Sequence, residues 1–134
     1  MRMRSLLPLL LSAVSLQTPV GLLAQQGPGP GVFALQSMLQ DKAPEIRITA
    51  AKALGRVGGR EAVLILRRGL GDKVIEVRIA VVEALGFIGG RLAMTVLREA
   101  LKDKTAGVRI RAVEALKDAG TVSSIPFIQT AFGD

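Results

Sequence analysis

Hydrophobic positions along the chain fall into two kinds of run. From Val63 to Leu70, and again from Val77 to Ile88, apolar side chains recur at three- and four-residue steps, the spacing of one face of an α-helix. In the longer run Val77, Val81, Ala84, Leu85 and Ile88 form the stripe that packs, while Glu76 and Glu83 face water. Such a stripe is core, and no ligand is assigned to it. A charged turn, Asp72-Lys73, separates the two runs, so the pattern predicts a helix–turn–helix hairpin.

The hairpin recurs. Leu39-Gln40-Asp41, Leu70-Gly71-Asp72, Leu101-Lys102-Asp103 and Phe132-Gly133-Asp134 stand 31 residues apart without insertion. The columns Arg47, Arg78, Arg109 and Ile48, Ile79, Ile110 keep the same interval, as do Ala53, Ala84, Ala115 and Leu54, Leu85, Leu116. A fixed period of this length marks hairpins that bury their apolar faces against one another. The fold class predicted is therefore all-α, a short α-solenoid of three helical hairpins plus one extra helix. The repeats fall at about 32–60, 61–91 and 92–121, followed by a half-repeat at 122–134. Pro44 suits the first turn of its helix, where a missing N–H is no loss. Gly58, Gly89 and Gly120 are each expected to close a second helix as a left-handed cap.

The chain before Val32 lacks this period. Arg2 and Arg4 precede a Leu-rich core from Leu6 to Leu16, the order of an export signal over residues 1–24, with cleavage expected after Ala24. Leu22 is larger than the side chain preferred at that point of a cleavage site. The alternative is an uncleaved inner-membrane anchor. Ser5 to Ala24 is an uncharged stretch long enough to span a bilayer, but Pro8, Gln17, Thr18 and Pro19 make it a poor membrane helix. Without cysteine, lipoprotein anchoring is out. The Gln25–Gly31 segment, QQGPGPG, reads as a flexible Gly/Pro linker. The expected location is periplasmic or extracellular.

Composition narrows the chemistry. The 134 residues, 49% hydrophobic, suffice for one core, and the absence of cysteine leaves stability to packing alone. The absence of both histidine and cysteine removes the commonest general base, the commonest metal ligand and the best neutral-pH nucleophile. No catalytic, cofactor-binding or metal-binding residue is assigned, no cofactor is called for and no small-molecule substrate is implied.

The order Leu-x-Asp, Arg six residues after the Asp, and then Ala-Leu-Gly-x-x-Gly resembles the bacterial HEAT-like repeat family over Val32 to Asp134. The second repeat, D-K-V-I-E-V-R-I-A-V-V-E-A-L-G-F-I-G-G, carries the resemblance best, while the third has Lys117 where the others have Gly55 and Gly86. The resemblance implies an α-solenoid serving as a protein–protein scaffold or adaptor. One branch of that family is named for phycobilisome lyases, which handle bilin chromophores, so a lyase or other enzyme-associated subunit is the alternative. Related deoxyhypusine-modifying enzymes hold iron through His–Glu pairs, and a chain without histidine lacks them.

Three polar or apolar groups stand out in the repeat. Asp41, Asp72 and Asp103 lie at the turns, with Arg47, Arg78 and Arg109 six residues on. A guanidinium has five fixed donors for turn carbonyls and a neighbouring carboxylate, and three identical copies point to a structural ladder rather than to paired catalytic charges. Lys42, Lys73 and Lys104 form a second column, readable as a rail for an anionic partner or as solvated turns. The full chain is +7, and 16 basic against 11 acidic residues remain once Arg2 and Arg4 are removed. Basic residues gather on the first helices (Arg60, Arg67, Arg68, Arg91, Arg98, Lys102), but positions such as Lys52, Glu83, Glu114 and Arg56, Phe87, Asp118 make a mixed surface. That mixture, with neither Trp nor Tyr for base stacking, argues against nucleic acid. Finally Ile125, Phe127, Ile128 and Phe132 give the half-repeat more apolar surface than a free solenoid end should show. They form a candidate docking or self-association face, or else a cap on the third repeat.

Overall fold

The computed structural model describes residues 29–132, with side chains described from 29 to 121. Six helices make up these residues: α1 (Pro30–Met38), α2 (Pro44–Val57), α3 (Gly59–Gly69), α4 (Ile75–Ile88), α5 (Gly90–Ala100) and α6 (Ala106–Phe132). Along the chain they alternate as the two-helix units α1–α2, α3–α4 and α5–α6, with α3 packing on α4 and α5 on α6. The export segment and most of the linker lie outside the described residues. Pro30 and Gly31, expected in the linker, open α1, because a proline's fixed φ and missing N–H fit a helix start.

Each turn within a hairpin is set by its aspartate. Oδ1 of Asp41 accepts the N–H of Ala43 at 2.9 Å, that of Asp72 accepts Val74 N–H at 2.9 Å, and that of Asp103 accepts Thr105 N–H at 2.8 Å. In the first two hairpins the carboxylate thus holds the extended residue that precedes the second helix, Ala43 or Val74, whose own side chain makes no cap. Pro44 and Glu45 then start α2.

Between hairpins the chain turns on paired glycines. Gly58 and Gly89 have φ of 68° and 69° with ψ of −168° and −171°, and Gly59 and Gly90 follow with φ of 84° and 88°. The caps are therefore not in the left-handed helical well but in a region open essentially to glycine alone. At the third junction the pair reads Gly120-Thr121, and no turn forms. A β-branched threonine is an outlier at φ near +85°. Gly120 has no positive φ, and α6 runs through it to Phe132, so the segment expected as a separate fourth-unit helix continues α6 instead.

The second helices form one layer, α2 packing on α4 and α4 on α6, while α3 packs on α5 in the other. Helix α4 is enclosed on several sides, which is why Ala80 and Val82 are buried in addition to the stripe at Val77, Val81, Ala84 and Leu85. Leu54, Leu66, Leu85 and Leu97, one pair from each helix layer, are fully buried in a single apolar cluster. The layer closes most tightly at Gly55 and Gly86. A Cβ on Gly86 would lie 2.9 Å from the Ala115 Cβ and 3.0 Å from its Cα, and one on Gly55 would lie 3.1 Å from the Ala84 Cβ. Lys117, at the same place in the third hairpin, is exposed.

Candidate functional site

The arginine and aspartate columns meet between successive hairpins. Arg47 Nε and Nη2 donate to Oδ2 and Oδ1 of Asp72 at 2.8 and 3.0 Å, while its Nη1 donates to the carbonyls of Asp41 and Lys42 at 2.8 and 3.1 Å. Arg78 repeats the fork on Asp103 at 2.9 and 3.3 Å, reaches Thr105 Oγ1 at 3.0 Å and caps the Asp72 carbonyl at 2.7 Å. Both guanidinium groups are buried, with 6% and 3% of the side chain exposed. Each arginine closes its own turn and grips the next one.

This geometry sets the protonation of the ladder. Burial works to raise the Asp72 carboxyl, but the bond from Arg47, the Val74 N–H and the charges of Arg47 and Lys73 together outweigh it and hold the group below its ordinary value. Burial likewise opposes ionisation of Asp103, and the Thr105 N–H, the Arg78 bond and the charges of Arg78 and Lys104 win. The bond to Asp72 raises Arg47 above its usual value. Carboxylates locked in this state are structural anions rather than proton donors near neutral pH. Among the described residues no three potential metal ligands come together as a metal-holding group.

Arg109 departs from its column. It is exposed, and its described bond is from Nη1 to the Asp103 carbonyl at 2.7 Å. The register partner, Asp134, lies outside the described residues. So do the side chains of Ile125, Phe127, Ile128 and Phe132.

Lys42, Lys73 and Lys104 are exposed at successive turns. Shallow depressions between the turns are lined by Asp41, Lys42, Asp72 and Lys73, and by Asp72, Lys73, Asp103 and Lys104. Each lysine thus has ladder carboxylates beside it, which offset the positive field of the column.

A further feature went unassigned on sequence grounds. A shallow, open groove between α2 and α4 is lined by Lys52, Gly55, Arg56, Ala80, Glu83, Ala84 and Phe87. Phe87 is 69% exposed, the most solvent-facing large apolar side chain of the described residues. The groove exists because Gly55 and the small Ala80 and Ala84 leave a trough where the helices approach. The signal available in the sequence was Phe87 itself, an aromatic in a column otherwise occupied by Arg56 and Asp118. Other links missed by sequence reasoning are surface ion pairs between neighbouring units, Arg67 with Glu99 at 2.9 Å and Arg111 with Glu83 at 3.5 Å.

Stacked two-helix units joined by a repeated Arg–Asp bond define an α-solenoid. The chain belongs to the HEAT repeats family, whose model matches residues 32–117 and 70–134. Among solved structures it is similar to human deoxyhypusine hydroxylase in complex with glycerol, at 25% identity and a TM-score of 0.63 over 71% of this chain. The match spans 34% of that enzyme, about a third of its length. No curated protein sequence matches.

Proposed function

We propose that this chain is an exported, non-catalytic scaffold that binds a protein partner on the outward face of its second helices. The observation that carries the reading is Phe87, an exposed aromatic at an open groove rimmed by Lys52, Arg56 and Glu83. An apolar anchor within a mixed polar rim is the usual make-up of a protein-binding surface, whereas small molecules call for deeper enclosure.

The chemistry favours binding over catalysis. The chain has neither histidine nor cysteine, and every described buried side-chain polar atom has a partner, so no poised acid, base or nucleophile stands out. The likeness to deoxyhypusine hydroxylase is one of fold, and its activity is not carried over. Export rests on Arg2, Arg4 and the Leu6–Leu16 core; among the described residues no helix is long and apolar enough to cross a membrane.

The test is capture from an exported-protein fraction with the tagged chain and with its Phe87→Asp variant. One stoichiometric protein held by the wild type and lost with the variant, at unchanged thermal stability, supports the reading. Identical captures by both chains overturn the assignment of this groove.

A further inference from the structure

The third hairpin ends in a surface that the first two hairpins keep covered. Ala51 and Val82 are fully buried, but Val113 in the same column is 47% exposed. Ile48 and Ile79 are half-buried, whereas Ile110 is 59% exposed. Arg47 and Arg78 are buried and bridge forward, whereas Arg109 is exposed with no carboxylate on it among the described residues. What would satisfy this end is an apolar first-type helix followed by a carboxylate. A second-type helix would meet Lys117 where Gly55 and Gly86 permit close approach.

The chain's own sequence contains such a unit. In the 31-residue register Phe127, Ile128 and Ala131 correspond to Val96, Leu97 and Ala100, all buried in the third hairpin. Asp134 stands as far beyond Arg109 as Asp72 beyond Arg47 and Asp103 beyond Arg78, a separation of 25 residues. Whose surface the unit covers is decided at Gly120-Thr121. A helix that does not turn there cannot lay its continuation back over its own Ile110 and Val113, and α6 does not turn.

We infer that residues 122–134 complete the fourth unit of a second copy of this chain. Two chains exchange these segments reciprocally, each Asp134 pairing with the other chain's Arg109 and each Phe127 and Ile128 packing on the other's third hairpin. Thr121 is the position that selects exchange over closure, since a glycine there would restore the doublet that turns the chain at Gly58-Gly59 and Gly89-Gly90. Reciprocal exchange is a closed, two-fold arrangement.

Sedimentation velocity of the full chain tests this. The wild type is expected to be a dimer, and Arg109→Glu and Asp134→Arg are each expected to weaken association about tenfold or more. An equimolar mixture of those two variants should recover the dimer, because in the mixed pair the two altered side chains face each other and wild-type Arg109 faces wild-type Asp134. Recovery on mixing distinguishes exchange from closure within one chain, which mixing cannot repair. Thr121→Gly should shift the chain to a monomer with unchanged helix content. A wild-type monomer up to about 100 μM, single variants that dimerise like the wild type, no recovery on mixing, or a Thr121→Gly chain that remains dimeric would each overturn the inference.

Discussion

Arg78 donates to the Asp103 carboxylate at 2.9 Å with one nitrogen and to the Asp72 carbonyl at 2.7 Å with another, so one side chain joins the turn of its own hairpin to the turn of the next. Arg47 makes the same connection one unit earlier, and among the described residues Arg109 shows its first half.

Identical residues in one column should therefore differ in worth. Arg78→Met leaves a buried carboxylate and a turn carbonyl without their donor and is expected to cost about 3–5 kcal/mol. Arg109→Met, exposed within a single chain, is expected to cost at most about 1 kcal/mol when unfolding is followed at a concentration low enough to keep the chain monomeric. Urea unfolding of the two variants compares them directly, and equal losses would contradict the placement of Arg109.

The ladder also predicts acid sensitivity. The folded-state carboxyls of Asp72 and Asp103 lie below their ordinary value, so the unfolded chain binds protons first as pH falls. Their stabilisation is fully present above the unfolded value of about 4 and is lost as pH drops through the folded values. Melting temperatures measured from pH 6 to about pH 2 should fall more steeply for the wild type than for an Asp72→Asn/Asp103→Asn chain, which starts lower.

Glycines in similar sequence settings should respond in opposite directions. Gly86→Ala sets a methyl 2.9 Å from Ala115 and is expected to destabilise by about 1–3 kcal/mol despite better helix propensity. Gly120→Ala meets nothing within 4 Å inside α6 and is expected to stabilise by about 0.5–1 kcal/mol. A loss at Gly120 similar to that of Gly89→Ala, where φ is 69°, would show that the chain does turn there.

For the export reading, N-terminal sequencing of the chain recovered outside the cytoplasm is expected to begin at Gln25. A start at Met1 in a membrane fraction would replace the cleaved signal with an anchor.

The hairpin architecture was legible because it is written in repetition. Columns such as Leu54-Leu85-Leu116 and Asp41-Asp72-Asp103 announce both helix and turn wherever they recur. The break at the third junction was hidden by that same regularity, since Gly120 keeps its column while the deciding residue is the next one, Thr121 in place of Gly59 and Gly90. The special role of Gly55 and Gly86 was equally invisible, for a glycine within a helical run gives no sign that a neighbouring alanine presses on it. Exposure of Phe87 depends on how deeply two helices approach, which no spacing within one helix records.

The hairpins are joined through the doublets Gly58-Gly59 and Gly89-Gly90, leaving no loop between units that could be lengthened or reshaped. Diversity on such a surface can therefore arise only by exchanging side chains at fixed stations along the helices, as at Arg56, Phe87 and Asp118. On the proposed scaffold reading, a partner docking there would meet backbone already ordered before contact, so little conformational freedom would be surrendered on association, and selectivity would reside in the identity of a few residues rather than in adaptable segments.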